Sequence, residues 1–191
     1  SALTGATGLS STAGLTSNVG NHAIAVAAGT LAANNDNYTF TFVDGTLSVT
    51  PASLTVVAEA QMREYGLDNP ALTAAFSGFR NGDSVATALT GAASLSTQAT
   101  AASDVGDYGI FASAGTLAAN NGNYTLDFGN NLLSVTPASL TVTADDASKE
   151  VGDVNPRFGA SGSGFRNGDD LSVVSGLGFL SDGVTASPAG N

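Results

Sequence analysis

A tandem repeat with a period of 86 residues constrains this chain more than any other feature of its sequence. The octapeptide VTPASLTV occurs at Val49–Val56 and again at Val135–Val142. Residues 3–50 align with residues 89–136 without a gap, and 27 of these 48 positions are identical. Identity at that level over a fixed period indicates duplication of one folding unit. The period exceeds the roughly 20–45 residues of one solenoid coil, so each copy is predicted to be a small domain.

The recurring octapeptide is predicted to mark the boundary between copies. Residues 1–50 are then the C-terminal part of one repeat, residues 51–136 a complete repeat, and residues 137–191 the N-terminal part of the next. Aligning the last piece requires a two-residue deletion near Asp182. Truncated repeats expose strand edges, which recruit partner strands. We therefore expect one of two arrangements. Either the half-repeats pair with another chain, or the true structural units are permuted relative to these boundaries and comprise residues 1–86 and 87–172.

Alternating side chains predict β-strands and a hairpin. Tyr38–Val43 alternates large apolar residues with Thr, which is the period of a half-buried strand. Asp44-Gly45 follows, and Asn130-Asn131 stands at the same place one period later. Residues of these types favour positive φ, so a two-residue hairpin turn is predicted at both places.

At the octapeptide, the apolar side chains switch from one face of the strand to the other. Leu47 and Val49 keep one parity along the chain, whereas Leu54 and Val56 keep the other. Pro51 lies between the two sets and has no N–H to donate to a strand partner. We therefore expect one strand to close a sheet and the next to open the following domain, across a joint too short for flexible-linker behaviour.

Weaker signals complete the predicted repeat. Further strands are predicted within residues 69–79, Leu95–Ala99 and Tyr108–Ala112. Asn81-Gly82 predicts a turn, and Asp83 is predicted to cap a helical turn that follows it.

Short strands separated by turn signals predict an all-β fold of tandem antiparallel, Ig-like β-sandwich repeats. The alternative is a β-grasp-like α+β repeat, in which the segment after Asp83 forms a helix across a sheet. The predicted core of the complete repeat consists of Leu54, Val56, Phe76, Phe79, Leu95, Ile110, Phe111 and Phe128.

The composition excludes several classes of partner. Sixteen acidic and five basic residues give a net charge of −11, which is the wrong sign for nucleic acid or for an anionic membrane surface. The chain has no cysteine, so disulfides and thiolate metal sites are excluded. No run approaches the roughly 18 apolar residues of a membrane-spanning helix.

No catalytic or cofactor-binding residue is predicted. The single histidine, His22, is replaced by Tyr108 one period later, and Lys149 is the only lysine. Nucleophilic catalysis needs a nucleophile beside a positioned base, and this chain offers very few bases. The sequence predicts that the protein is not an enzyme.

No cofactor is predicted, and calcium is kept as the alternative. Asn34–Asn37 resembles an oxygen-ligand loop, but its one carboxylate, Asp36, becomes Gly122 in the next copy. The pairs Asp145-Asp146 and Asp169-Asp170 each lose one acid in the preceding copy. Calcium takes 6–8 oxygen ligands, several of them carboxylates, so no metal-binding residue is assigned.

Arg80 and Asp83 recur as Arg166 and Asp169. One interpretation is a solvated turn with an ion pair that contributes at most about 1 kcal/mol. The other is a domain–domain or ligand contact made by the Arg80 loop.

Several joined motifs resemble a known family. They are EYGLDNP at Glu64–Pro70, SGFRNGD at Ser77–Asp83, DVGDY at Asp104–Tyr108, and the run from NYTF to the octapeptide. Together they resemble the MBG/YDG-type repeat of large bacterial surface proteins, including haemagglutinin-like exoproteins and biofilm adhesins. The third copy departs from the pattern, with Val151 in place of a tyrosine.

This resemblance implies structural stalk or spacer repeats of a secreted or cell-surface adhesin, at an extracellular location. The expected partners are neighbouring repeats of the same chain. The alternative function is weak, multivalent binding of carbohydrate or protein by the repeats themselves.

Overall fold

The computed structural model describes residues 3–34 and 37–178. Strands account for 41% of these described residues and helix for 6%. In chain order the strands are β1 (Leu3–Thr4), β2 (Gly8–Ser11), β3 (Gly20–Ala27), β4 (Ala32–Ala33), β5 (Gly45–Val49), β6 (Ala52–Ala58), β7 (Gln61–Glu64), β8 (Ala74–Ser77), β9 (Leu89–Thr90), β10 (Ser94–Thr97), β11 (Gly106–Ser113), β12 (Ala118–Ala119), β13 (Tyr124–Gly129), β14 (Asn131–Thr136), β15 (Thr141–Ala144) and β16 (Ala160–Ser163). One α-helical turn, α1 (Val85–Ala88), and two 3-10 turns (Asn120–Gly122 and Leu171–Val173) complete the inventory of this part of the chain.

The chain divides into two compact units. Unit 1 comprises Ser1–Glu59, Leu72–Ser96 and Ile110–Asn131. Unit 2 comprises Ala60–Ala71, Thr97–Gly109 and Leu132–Asn191. Each unit thus combines part of the complete repeat with residues of a neighbouring copy.

Unit 1 contains two three-stranded sheets. In the first, β3 lies between β2 and β5 and is antiparallel to both. In the second, β6 lies between β13, which is parallel to it, and β8, which is antiparallel. Two short antiparallel pairs, β1–β4 and β9–β12, accompany them.

The core of unit 1 lies on β6 and the segments that cover it. Leu54 and Val56 are completely buried, and they pack in a cluster with Ala88, Leu89, Leu117 and Tyr124. Phe76, Phe79 and Phe128 pack against the cluster as predicted. Every member of the cluster lies after the octapeptide's proline, so no shared apolar interior crosses that joint in the described part of unit 1.

Unit 2 is organised around β14. Strand β7 runs parallel to β14 on one side, with Leu133 opposite Gln61 and Thr136 opposite Glu64. Strand β11 lies on the other side of β14. Leu133 and Val135 of β14 are buried. Strands β15 and β16 form a separate antiparallel pair.

The all-β, sandwich-like repeat class is confirmed, and α1 is a single turn, too short for the helix of a β-grasp arrangement. The connection between β5 and β6 consists of Thr50-Pro51 alone, and the two strands belong to different sheets of unit 1.

The predicted hairpins are wrong. Strand β13 pairs with β6, whereas β14 pairs with β7, so the strands on either side of Asn130 belong to different sheets. The Asn130 side chain accepts the Ala112 N–H at 3.1 Å, and Asp44 accepts the Val26 N–H at 3.0 Å. Asp and Asn favour turns, but here their side chains accept a backbone N–H of another strand instead. Residues 38–44 are not in a strand at all.

Candidate functional site

The Arg-Asn-Gly-Asp sequence forms a tight loop in both copies. Asn81 and Gly82 have φ of 55° and 79°, and Asn167 and Gly168 have φ of 54° and 86°. Two successive positive φ angles are the hallmark of a type I′ turn, which Asn-Gly accommodates. The turn predicted at Asn81-Gly82 is confirmed. We call Arg80–Asp83 the first RNGD loop and Arg166–Asp169 the second RNGD loop.

A second tight turn follows β7 in unit 2. The Tyr65 N–H donates to the Thr136 carbonyl at 2.8 Å, which extends the pairing of β7 with β14 by one residue. Gly66 has φ of +81° and allows the chain to reverse, and the Leu67 N–H closes the turn on the Glu64 carbonyl at 3.2 Å. We call Glu64–Gly66 the Tyr-Gly turn.

The Tyr-Gly turn lies directly on the second RNGD loop. The Tyr65 hydroxyl donates to Asp169 Oδ2 at 3.2 Å, and Arg166 Nη2 lies 3.7 Å from Glu64 Oε1. Gly66 approaches the Arg166 side chain so closely that a Cβ at this glycine would lie 2.3 Å from the Arg166 Cβ. These contacts join the complete repeat to the copy that follows it.

Buried polar contacts hold the Tyr-Gly turn in place. Arg63 is 6% exposed, although it is charged. Its Nε donates to Asn69 Oδ1 at 2.8 Å, its Nη1 to the Glu64 carbonyl at 3.2 Å, and its Nη2 to the Thr100 carbonyl. Asn69 in turn donates to the Ala99 carbonyl at 2.6 Å. The guanidinium thus ties β7 to a distant turn of the same unit with neutral acceptors alone.

In unit 1 the first RNGD loop is held from within its own repeat. Tyr124 is 7% exposed, and its hydroxyl donates to Asp83 Oδ2 at 2.6 Å and accepts the Arg80 N–H at 2.9 Å. Burial raises the pKa of the Tyr124 phenol above its ordinary value of 10.0, and the hydrogen bond to the Asp83 carboxylate raises it further. The prediction that Asp83 caps the helical turn α1 is wrong. Ser84 stands at that N-cap position, and its N–H donates to Thr87 Oγ1 at 2.8 Å.

Asn123 links the first piece of the chain to the complete repeat within unit 1. Its Oδ1 accepts the Val19 N–H at 2.9 Å, and its Nδ2 donates to Asn18 Oδ1 at 2.8 Å. Its carbonyl accepts the Ala52 N–H at 2.9 Å. A groove of about 340 Å³ lies between Leu15–Val19 on one side and the first RNGD loop on the other.

His22 and its counterpart one period later make equivalent hydrogen bonds. His22 Nε2 donates to the Asn18 carbonyl at 3.1 Å, and its counterpart Tyr108 donates to the Asp104 carbonyl at 2.9 Å. Both side chains thus bond to the carbonyl four residues earlier, which explains why one replaces the other.

The acidic positions form no metal centre where the structure describes them. Within residues 3–34 and 37–178, no group of three or more His, Cys, Asp or Glu residues could hold a metal ion. Asp36, the carboxylate of the oxygen-ligand loop, lies outside the described residues. Asp170 Oδ1 accepts the Ser172 N–H at 2.8 Å at the start of a 3-10 turn. Hydrogen bonding from the Ser172 side chain, and next from this N–H, lowers the pKa of Asp170.

Sequence reasoning selected the RNGD loops but missed most of what contacts them. Tyr124 recurs as Tyr38, and Gly66 recurs as Gly152. In both cases the same residue type occurs at the same position of two copies, and this could have pointed to a structural role. The role of Arg63 carried no such signal, since Lys149 replaces it in the next copy.

Comparison with known families gives a match that covers most of the chain in three stretches. The family model described as MBG domain (YGX type) matches residues 1–48, 54–134 and 140–191. The resemblance to MBG-type repeats is therefore confirmed. No curated protein and no solved structure matches the chain. Among the described residues, no helix is long and apolar enough to cross a membrane.

Proposed function

Because the chain belongs to the MBG domain family of the YGX type, we propose that its repeats are structural units of a secreted or cell-surface bacterial adhesin, arranged in series as a stalk or spacer. Domains of this family are typically structural and non-enzymatic, and the family suggests surface-protein repeats. The observation that carries the proposal is the contact of the Tyr-Gly turn with the second RNGD loop, which links two successive copies.

Several small contacts act together where the Tyr-Gly turn meets the second RNGD loop, and we call this contact the joint. The ion pair of Arg166 with Glu64 is about 40% exposed on each side chain, and such a pair contributes roughly 0.2–1 kcal/mol. The Tyr65–Asp169 hydrogen bond and the close packing of Gly66 act on the same few residues. Together they would restrict the angle between neighbouring copies, which a stiff spacer requires.

The net charge supports the same function. At −11 the chain repels other copies of itself. Long stalks that stand side by side would therefore stay separate instead of adhering laterally. Where the joint is held and the sides repel, a binding tip can be displayed at a distance from the cell.

Two spin labels test the fixed joint. The chain has no native cysteine, so Asp68→Cys and Ser161→Cys introduce the only labelling sites. Both positions are exposed and belong to unit 2. Electron-electron dipolar spectroscopy should give one narrow distance distribution, and the added pair Tyr65→Phe and Arg166→Ala should broaden it. A broad distribution before those changes would contradict a fixed joint.

Location requires a separate experiment. Antibodies raised against this chain should label intact cells of the source bacterium as strongly as permeabilised cells. Labelling only after permeabilisation would contradict a surface role, whatever the spin labels show.

A further inference from the structure

Two parallel strand pairings, one in each unit, share a single register. In unit 1, β6 runs parallel to β13, starting with Ala52 opposite Tyr124. In unit 2, β7 runs parallel to β14, ending with Glu64 opposite Thr136. Opposed residues differ by 72 positions in both pairings, as 52 and 124 do at the start and 64 and 136 at the end. We call the two pairings together the parallel ladder.

The chain enters and leaves this ladder on different strands. Strands β6 and β7 are separated by Glu59-Ala60, and β13 and β14 are separated by Asn130 alone. Tension along the chain therefore enters through Pro51 before β6 and leaves through Pro137 after β14. In each unit one strand is pulled toward its N-terminus and its partner toward its C-terminus. Because the partners are parallel, these pulls oppose each other along the strands and load every pair in shear.

Side-chain hydrogen bonds cross the ladder at a constant spacing. Each of three bonds joins a side chain to the backbone carbonyl 73 positions earlier. They are donated by Thr125 to Ala52 at 3.4 Å, by Asn131 to Ala58 at 3.1 Å, and by Thr136 to Arg63 at 3.2 Å. A carbonyl oxygen has two lone pairs, so these bonds can add to the backbone pairing. Sliding one strand along its partner would break them together with the backbone bonds.

The same strands carry most of the large side chains that are fully or almost fully buried in the described part of the chain. Leu54 and Val56 lie on β6, and Leu133 and Val135 lie on β14. Sliding these strands would move the four side chains out of closely packed surroundings before new contacts form. The barrier to forced unfolding therefore includes lost core packing as well as the broken hydrogen bonds of the ladder.

We propose that the parallel ladder is a mechanical clamp, which resists extension of the repeat under tension along the chain. Pairs loaded in shear must break together, whereas pairs at a peeled end break one after another. Forced unfolding is governed by the unfolding rate, and the clamp acts by lowering that rate. The tension on the clamp rests on the proposed stalk function, but its strength is a property of the fold and can be measured separately.

Pulling the full chain in two directions tests the clamp. The chain has no native cysteine, so pairs of introduced cysteines can attach DNA handles. Thr50→Cys with Ser139→Cys loads the ladder in shear, because one handle precedes β6 and the other follows β14. Asp68→Cys with Ser139→Cys pulls instead where Glu64 lies opposite Thr136, and peels the ladder from that end. All three handle positions are exposed.

The two pulling directions should differ in unfolding force. In optical tweezers at one loading rate, the shear direction should require at least about twice the force of the peeling direction, because the hydrogen bonds of the ladder yield together. Any smaller ratio would overturn the proposal. The comparison changes only exposed handle positions and leaves the ladder itself unaltered.

Matched valine variants test whether the resistance resides in the ladder. Thr125→Val and Thr136→Val keep a branched side chain and remove two of the bonds that cross it. Together they should raise the unfolding rate at constant force about three- to tenfold in the shear direction. Thr90→Val on β9 is exposed, lies outside the ladder, and should leave the rate unchanged. Equal rates for the double variant and this control would contradict the clamp.

The clamp and the stalk function can fail independently. A high shear force in a protein that antibodies reach only in permeabilised cells would contradict the proposed function and leave the clamp standing. Surface labelling of intact cells, combined with equal forces in the two pulling directions, would contradict the clamp alone.

Discussion

The Tyr124 hydroxyl donates to Asp83 Oδ2 at 2.6 Å, and the Tyr124 hydroxyl oxygen itself accepts the Arg80 N–H at 2.9 Å. One buried phenol thus holds both ends of the first RNGD loop. The ring also packs edge-on against Phe79, with ring centroids 6.1 Å apart. The first RNGD loop is therefore anchored in the core of its own repeat by a single residue.

Replacing this tyrosine should destabilise unit 1. Tyr124→Phe keeps the ring but leaves the Asp83 carboxylate and the Arg80 N–H without this partner. The loss should be about 1–3 kcal/mol, because one of the two bonds involves a charged group. Urea unfolding measures it. The matched control is Tyr38→Phe, since Tyr38 is the counterpart of Tyr124 and is 61% exposed. A Tyr124→Phe midpoint equal to that of the control would contradict the anchoring role.

The same phenol should make stability depend on alkaline pH. Burial, with the hydrogen bond to Asp83, raises the pKa of Tyr124 in the folded state. The unfolded chain then loses this proton near pH 10 while the folded chain still holds it. The stabilisation is therefore complete below about pH 10 and is lost as the pH rises through the higher folded pKa. Denaturant unfolding at a series of alkaline pH values should show that the free energy of unfolding falls more steeply with pH for the native chain than for Tyr124→Phe. Parallel declines would contradict the assignment.

The close packing of Gly66 on Arg166 can be tested by comparing the stability cost of an alanine at Gly66 with that at its counterpart in the next copy. Gly66→Ala brings both a strained positive φ and a Cβ 2.3 Å from the Arg166 Cβ. Its counterpart Gly152 has φ of +99° and no atom within 4 Å of the same virtual Cβ. Gly152→Ala should therefore cost only the backbone strain, about 1–2 kcal/mol. Gly66→Ala should cost about 1–3 kcal/mol more because of overpacking. Thermal unfolding of both variants gives the difference, and equal costs would show that the joint is not tightly packed there.

The sequence predicted which residues alternate, but not which strand each one would meet. Tyr38–Val43 and Tyr124–Gly129 carry closely similar alternation, yet only the second is a strand. Strand β13 forms where β6 offers a parallel partner along its whole length. Periodicity specifies the two faces of a segment, whereas strand formation depends on a partner distant in sequence. The hairpin error has the same origin.

Adjacent core assignments failed for a simpler reason. Ile110 and Phe111 were both predicted to be core, but neighbouring residues of a strand point to opposite faces. Ile110 is completely buried, and Phe111 is 50% exposed.

At the candidate site, the Asn-Gly turns could be predicted from local backbone preferences alone. The partners of Asp83 and Asp169 did not, because each tyrosine arrives from a separate part of the chain.

Arg63 provides the sharpest test of how the Tyr-Gly turn is held. Its guanidinium donates to Asn69, Glu64 and Thr100 at once, which requires a planar group with several donors. Arg63→Lys keeps the charge but cannot reach all three acceptors from one ammonium. The variant should lose about 2–3 kcal/mol of unfolding free energy, because a buried charge and buried acceptors are left incompletely paired.

The reverse substitution is the control for Arg63. Lys149 stands at the same place in the next copy, is exposed, and donates to the Asp153 carbonyl at 3.2 Å. Lys149→Arg should change stability by no more than about 0.5 kcal/mol, as is usual for a surface position. Arg63→Lys should also broaden the spin-label distance distribution of unit 2, because β7 positions Tyr65 on the second RNGD loop. An Arg63→Lys variant with native stability and a narrow distribution would show that the buried guanidinium does not hold the joint.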